Sequence, residues 1–158
     1  QAERLVEIVL GALELEGHER VLDAYCGIGL FTAFLAEEAG EVVGIEINAA
    51  SVADAVFNLA DAPNVTLIEG QVEDVLPDWE HPFDAAVLDP PRTGLDPTTL
   101  DALVRSSPER IVYVSCDPAT LARDARRLVD AGYVLEWVQP VDLFPQTFHI
   151  ENVALLTR

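Results

Sequence analysis

Two residues in the second half of the sequence could form and break bonds with a substrate. The first, Cys116, follows the β-branched apolar run at residues 110–115 and precedes Asp117 and Pro118. Asp117 is a typical helix N-cap and Pro118 suits the first helical position. The thiol is therefore expected at the positive end of a helix dipole, where the thiolate is favoured. A small buried hydrophobic side chain is the alternative, because most free cysteines play that part.

Glu151 is the second reactive candidate. It stands at the entrance to the apolar run at residues 153–156, and partial burial there would raise its pKa and make it a competent proton acceptor. A lone glutamate in a strand is often a charge that protects a sheet edge from aggregation, so this alternative stays open. The nearby His149 is ambiguous in the same way, because a lone histidine is more often structural than catalytic.

A glycine turn and a strand-end acid predict a site for a nucleoside cofactor. Gly27 and Gly29 follow a short apolar strand, and Glu46 closes the next strand at a spacing that lets a carboxylate meet ribose hydroxyls. A nicotinamide fingerprint would need a third glycine where this chain has Thr32. S-adenosyl-L-methionine carries a ribose and no phosphate, and it suits the pattern better. Gln71, after the third strand, could reach an adenine edge or be an exposed loop residue.

The Asp-Pro-Pro-Arg segment at residues 89–92 follows the fourth predicted strand. Two prolines stiffen the loop and fix Asp89 at the rim of the sheet. Methyltransferases that act on exocyclic amines carry a similar loop with an aromatic residue that stacks on the base. Arg92 stands at that position here, which argues against amine methylation. The alternative is a rigid turn with an N-capping acid. Asp23, inside the first strand, is interpreted as an acid that braces the loop.

Alternating helices and strands position these residues. We expect helices at residues 2–16, 30–39, 49–60, 97–105 and 118–131, and strands at residues 20–25, 41–46, 65–68, 83–88 and 110–115. After Gly132 two strands, at residues 133–141 and 148–157, are expected as an antiparallel pair at one edge. The prediction is one α/β domain over residues 1–158, with a mostly parallel sheet. Ligands bind beyond the carboxyl ends of such strands, so the candidate residues should share that rim.

The amino-acid composition limits which partners the chain can bind and where in the cell it is expected. The 158 residues include 28 acidic and 9 basic side chains, for a formal charge of −19, and every basic residue is arginine. This balance repels nucleic acid, so an RNA substrate would need a basic domain elsewhere in a longer protein, a view that the absence of methionine favours. An acidic surface adapted to a salt-rich habitat is compatible with this. Without a membrane span or signal peptide, the chain is expected to be cytoplasmic. Its two cysteines lack metal-ligand spacing, so no metal is expected.

Four segments together resemble one family. Residues 23–29, 89–95, 114–124 and 142–151 are similar, in order and spacing, to the catalytic domain of RNA uracil-C5 methyltransferases. These enzymes make 5-methyluridine in tRNA or 23S ribosomal RNA. The resemblance implies a class I, Rossmann-like methyltransferase fold, S-adenosyl-L-methionine as cofactor and an RNA substrate rather than DNA. We expect a monomer.

The resemblance also implies a role for each matching residue. Cys116 matches the nucleophile and Glu151 the base, while the cofactor contacts match Tyr25, Glu46, Gln71 and Asp89 beside the glycine turn. Uracil C5 is a poor nucleophile, so a thiolate first adds to C6, and a base later removes the C5 proton. The target base must be flipped or presented in a loop. Family members usually carry asparagine or threonine where this chain has Leu30. A non-catalytic binding module, a different methyl acceptor and a nicotinamide oxidoreductase remain alternatives.

Overall fold

A computed structural model describes residues 2–142 and 150–158 of the chain. Seven strands form one sheet in the order β3-β2-β1-β4-β5-β7-β6. The strands are β1 (Arg20–Ala24), β2 (Glu41–Glu46), β3 (Val65–Glu69), β4 (Ala85–Leu88), β5 (Arg110–Ser115), β6 (Val134–Val141) and β7 (Glu151–Thr157). The helices are α1 (Ala2–Leu13), α2 (Leu30–Glu38), α3 (Ala49–Asn58), α4 (Val72–Val75), α5 (Pro97–Ser106) and α6 (Pro118–Asp130). The expected α/β architecture is confirmed.

Helices cover both faces of the sheet, which explains why its central strands are apolar on both sides. Successive side chains of β5 point to opposite faces of the sheet and pack into two different cores. Ile111 and Tyr113 pack with the buried residues of α5 and α6. Val112 and Val114 pack with those of α1 and α2. Because the pleat alternates, one continuous apolar strand fills two separate cores.

Strand direction brings the candidate residues to one rim. The strands β1 to β5 run parallel, while β7 is antiparallel to both β5 and β6. The carboxyl ends of β1 to β5 therefore meet the amino end of β7 along one edge of the sheet. The strand order reverses between β1 and β4, which is where ligands bind in folds of this kind. The expected rim is confirmed.

The first helix is shorter than the predicted span of residues 2–16. It ends at Leu13, and Glu14 already has a left-handed backbone with φ of 51°. The cause is distant in sequence, because the Arg110 guanidinium donates to the Ala12 carbonyl at 2.9 Å and pairs with the Glu14 carboxylate. This contact caps the helix before the predicted terminator, Gly17.

Other boundaries also differ from the prediction. The fourth strand begins at Ala85 rather than at residue 83, and the single-turn helix α4 was not predicted, because four residues are too few to show a period. The last strand begins at Glu151. Its predicted first residues Phe148 and His149 lie outside the described residues. Among the helices that are described, none is long and apolar enough to cross a membrane.

Candidate active site

The glycine turn after β1 orients Glu46. Gly27 and Gly29 have φ values of 55° and 87°, in the region that side-chain-bearing residues rarely adopt. The Gly27 N–H donates to Oε2 of Glu46 at 3.0 Å, and the Asn48 N–H donates to Oε1 at 2.8 Å. Each carboxylate oxygen keeps a further lone pair. Glu46 is therefore fixed at the rim and can still accept hydrogen bonds from a ligand.

Four of the predicted cofactor residues line one cavity of about 390 Å³. These are Tyr25, Glu46, Gln71 and Asp89, from the ends of β1, β2, β3 and β4. The other lining residues are Ile47, Gly70, Val72, Glu73 and Pro91. The two glycines of the turn are not among the lining residues, and their part is to shape the backbone and hold Glu46. The cavity combines apolar walls with three carboxylates.

Tyr25 occupies a strained backbone position at the mouth of this cavity. Its φ of 65° is unusual for an aromatic residue, and such strain is often retained at functional sites. Burial, with the negative charge of Glu73 adding to it, raises the pKa of the Tyr25 hydroxyl to about 12. The phenol therefore stays protonated at neutral pH and can donate a hydrogen bond.

Asp23 has the bracing role expected of it. Its carboxylate is completely buried, and the Thr32 hydroxyl donates to Oδ2 at 2.6 Å. Burial raises the pKa of Asp23 to about 7, against the opposing effect of the Thr32 hydrogen bond, and the charges of Asp89 and Glu46 add to the rise. Thr32 occupies the position where a nicotinamide fingerprint would have its third glycine. Its hydrogen bond to Asp23 links α2 to β1.

Asp89 links the cofactor cavity to the end of β7. Its N–H donates to the Ala24 carbonyl at 3.3 Å, which holds the start of the loop against β1. The carboxyl group is open to solvent through the cavity, but protein atoms crowd its other sides. This loss of hydration, followed by the negative charge of Glu151, raises the pKa of Asp89 to about 7. The two acids therefore act on each other across the rim.

Cys116 sits at the predicted junction between β5 and α6. The Asp117 carboxylate accepts from the Ala119 and Thr120 N–H groups at 2.9 and 3.0 Å, and Pro118 is the first helical residue, so the expected N-cap is confirmed. Hydrogen bonds from Thr120 are the main cause that lowers the pKa of Asp117. Cys116 itself is half-buried and carries a free thiol. It is accessible beside the helix terminus.

The register of the sheet brings Glu151 next to Cys116. Ser115 pairs with Asn152 in the antiparallel ladder of β5 and β7, and the Asn152 side chain donates to the Ser115 carbonyl at 3.4 Å. The ladder ends with this pair, and Cys116 and Glu151 are the residues that adjoin it on β5 and β7. Because β7 lies between β5 and β6, Glu151 is not on an edge strand. The edge-protecting interpretation of this glutamate is wrong.

Side chains of α6 hold the loop that carries Asp89. Asp124, which is fully buried, accepts from the Leu95 N–H at 2.8 Å, from the Tyr113 hydroxyl at 2.7 Å and from Arg123 at 2.9 Å. A side chain at Gly94 would lie 2.5 Å from Oδ2 of Asp124. Glycine is therefore required for the loop to approach this carboxylate.

Two further bonds complete the attachment of the loop. The Thr120 hydroxyl donates to the Arg92 carbonyl at 3.0 Å, and the Arg123 guanidinium donates to the Thr93 carbonyl at 2.8 Å. Because α6 begins directly after Cys116, these contacts set the thiol and Asp89 in a fixed relation. No role was predicted for these residues or for Glu73 in the cavity wall. Their only signal was that residues 120–124 belong to one of the four quoted segments.

Two family models match the chain. The model described as tRNA (uracil-5-)-methyltransferase matches residues 71–158, and a methyltransferase-domain model matches residues 21–107. Together they cover the cofactor cavity and the rim that holds Cys116 and Glu151.

Several relatives align along nearly the whole chain. An uncharacterized RNA methyltransferase of Listeria monocytogenes is 45% identical over 99% of the chain, which covers 36% of that relative. Another, from Gloeobacter violaceus, is 49% identical over 100% of the chain and is covered to 35%. The chain thus spans about a third of the length of these relatives.

A solved structure shows a similar fold and sequence. The tRNA (uracil-54, C5)-methyltransferase of Pyrococcus abyssi, in complex with S-adenosyl-L-homocysteine, is 35% identical with a TM-score of 0.85. The similarity covers 99% of this chain and 38% of that protein. A precorrin-6y methyltransferase from Geobacter metallireducens has a TM-score of 0.83 at 19% identity, over 98% of this chain and 89% of that one, which supports the fold alone.

Proposed function

Because the chain belongs to the tRNA (uracil-5-)-methyltransferase family, we propose that it is the methyltransferase part of an enzyme that methylates C5 of a uridine in structured RNA. The RNA is tRNA or 23S ribosomal RNA, and S-adenosyl-L-methionine is the methyl donor. One observation carries the proposal. The free thiol Cys116 and the carboxylate Glu151 adjoin the Ser115–Asn152 pair that ends the β5–β7 ladder, at the rim that also forms the cavity.

The cavity beside the glycine turn suits this cofactor. Glu46 has lone pairs available for ribose hydroxyls. The Gln71 amide nitrogen donates to Asp74 at 3.0 Å, so the amide oxygen is the atom left to accept from an adenine amino group. Glu46, Glu73 and Asp89 make the cavity acidic. Acidic walls attract the positive sulfonium and amino groups of S-adenosyl-L-methionine and repel the pyrophosphate of a nicotinamide cofactor. When bound, S-adenosyl-L-methionine supplies an electrophilic methyl group.

Cys116 opens the reaction by adding to uracil. Its thiolate forms a bond to C6, and the electron pair of the C5–C6 double bond moves toward O4, so that C5 becomes nucleophilic. The loop held by Thr120, Arg123 and Asp124 keeps Asp89 and the cavity in register with this sulfur.

Glu151 closes the reaction. After C5 has gained the methyl group, the Glu151 carboxylate accepts the C5 proton. The electron pair of the C5–H bond restores the C5–C6 double bond, and the C6–S bond breaks to release the Cys116 thiolate.

Most of the affinity for RNA is expected to come from parts of the protein outside this chain. A formal charge of −19 opposes association with a polyanion, and the relatives are nearly three times as long as this chain. We propose that the remaining part of the protein supplies most of the phosphate contacts and selects the RNA.

RNA that contains 5-fluorouridine tests the mechanism. Fluorine at C5 cannot leave as a proton, so Glu151 cannot complete the release of Cys116. We expect the full-length protein, incubated with this RNA and S-adenosyl-L-methionine, to form an adduct that survives denaturing electrophoresis. If no adduct forms with a protein that binds the RNA, the covalent mechanism is wrong. Mass-spectrometric mapping of 5-methyluridine in RNA from cells that lack the gene would then identify the target.

A further inference from the structure

A second cavity lies beside the proposed cofactor cavity and has no role in the mechanism above. Its volume is about 450 Å³, and it shares Tyr25, Glu73 and Pro91 with the first cavity. The wall on the far side is formed by the loop at residues 93–97 and by two arginines of α6, Arg123 and Arg127. Below, this second cavity is called the arginine cleft.

The two arginines differ in the hydrogen bonds and ion pairs that their guanidinium groups already make. Arg123 donates to the buried Asp124 carboxylate and to the Thr93 carbonyl, which fixes its guanidinium and leaves other N–H groups without a bond. Arg127 lies four residues later on the same face of the helix. Its guanidinium makes no hydrogen bond or ion pair with any described residue. Other arginines are paired: Arg4 with Glu7, Arg20 with Glu41, Arg110 with Glu14 and Arg126 with Asp130. Among the described residues, the side chains of Arg105 and Arg127 have no such partner, and of these two only Arg127 lines the arginine cleft.

The arginine cleft is within a few nucleotides of the proposed reaction site. Helix α6 begins at Pro118, two residues after Cys116. At a rise of 1.5 Å per residue, Arg123 and Arg127 lie roughly 8 and 14 Å along the helix from its first residue. A polynucleotide whose target base reaches Cys116 therefore brings a neighbouring phosphate near these side chains.

Acidic side chains in the arginine cleft limit which anions can bind there. Glu73 and Asp96 also line it, and one Asp96 oxygen already caps α5 by accepting from the Thr98 N–H at 2.8 Å. These carboxylates disfavour small anions with several charges. They tolerate a singly charged phosphodiester, and they can accept from the 2′-hydroxyl of its ribose. The cleft thus suits one unit of an RNA strand better than free phosphate.

We propose that Arg127, with Arg123 beside it, binds a phosphodiester of the substrate RNA next to the target uridine. This inference rests on the proposed function, because it takes the RNA strand to enter at Cys116. Arg127 supplies most of the charge, and Arg123 supplies the remaining N–H groups. The contact positions the strand and takes no part in the bond-making steps.

A pair of neighbouring substitutions in the full-length protein tests the proposal. Arg127→Gln removes the unpaired cation, and Arg126→Gln removes a cation on the same helix that pairs with Asp130 and lies outside the cleft. Binding of the substrate RNA is measured at several salt concentrations. We expect Arg127→Gln to weaken binding roughly three- to tenfold and to lower the slope of log affinity against log salt by about 0.7 to 0.9. Arg126→Gln should match the wild type in affinity, salt slope and kcat.

Neutral methylphosphonate linkages, introduced one at a time around the target uridine, locate the contact. At one position the wild type and Arg126→Gln should lose affinity while Arg127→Gln loses none, because the partner of that phosphate is already gone. Equal affinities, salt slopes and linkage profiles for the two variants would overturn the proposal. This result is separate from a failure of the proposed function, which would appear as the absence of a 5-fluorouridine adduct with the wild type.

Discussion

The two cysteines both follow a strand of the parallel sheet at the same rim, yet their surroundings are opposite. Cys26, after β1, is 8% exposed, and its sulfur lies 3.0 Å from the position that a side chain on Gly44 would occupy. Burial, aided by the charges of Asp23 and Glu46, raises the pKa of Cys26 to about 12. Cys116, after β5, is half-buried beside the start of a helix.

The comparison teaches that neighbours, rather than position after a strand, select a nucleophile. Burial, with the charges of Asp23 and Glu46 adding to it, keeps the Cys26 sulfur protonated. The two acids also hold α2 and the glycine turn. Cys116 is half-buried, lies two residues before the start of α6 and shares the end of the β5–β7 pair with Glu151. The substitutions considered next change one of the two cysteines or one acid near them.

Replacing each thiol by alanine should give the largest contrast. For Cys116→Ala we expect a loss of methyl transfer on the order of 10³-fold or more and no adduct with 5-fluorouridine RNA, because no other described thiol can add to C6. Cys26→Ala should keep the adduct and lower the free energy of unfolding by about 1 kcal/mol. Denaturing electrophoresis and urea unfolding measure both effects. An adduct formed by Cys116→Ala would assign the nucleophile to another residue.

The acid opposite Cys116 should control release. Glu151→Gln keeps the size of the side chain but cannot accept the C5 proton, so turnover should fall by about 10²- to 10⁴-fold. A stable adduct should then accumulate on ordinary RNA, with the methyl group already transferred. Glu109→Gln, an exposed acid at the opposite edge of the sheet, is the control. Rapid turnover of the Glu151→Gln variant would remove this residue from the role of base.

Glu46, one of the acids near Cys26, should affect the affinity for the cofactor rather than the release of the product. We expect Glu46→Ala to weaken S-adenosyl-L-homocysteine binding by roughly tenfold or more, because it removes a charged acceptor and frees the Gly27 N–H. Glu69→Ala is the matched control, since Glu69 pairs with Glu46 in the register of β2 and β3 but does not line the cavity. Titration calorimetry measures both. Equal affinities for the two variants would argue against a ribose contact.

Local patterns predicted most of the fold and the position of each candidate residue. The β-branched run before Cys116 and the N-cap Asp117 defined the junction of β5 and α6, and both boundaries are confirmed. Parallel strands then required the strand-end residues to share a rim. What could not be predicted depends on contacts between distant residues. Arg110 shortens α1 from 98 positions away in the sequence, and no local period carries that information.

The same limit applies to the active site. The sequence suggested an acid at residue 89 and a thiol at residue 116 but not how the two are held together. That role belongs to Asp124, whose partners Leu95 and Tyr113 are 29 and 11 residues away. The pairing of Glu151 with Cys116 required the register of β7, and its central position in the sheet excluded the edge-protecting alternative.

The buried acid beside Cys26 should change the pH dependence of stability. Asp23 has an ordinary pKa of 3.8 and a pKa of about 7 in the folded chain. Between these values the unfolded chain releases a proton that the folded chain keeps, so the contribution of Asp23 to stability is complete below pH 4 and is lost as the pH rises toward 7. Asp23→Asn cannot titrate. From pH 5 to pH 8 its free energy of unfolding should therefore fall less than that of the wild type, by on the order of 2 kcal/mol, in urea titrations. The exposed control Asp61→Asn should follow the wild type. Parallel curves for wild type and Asp23→Asn would mean that Asp23 is ionised in the folded protein, and that Cys26 is packed against a charge.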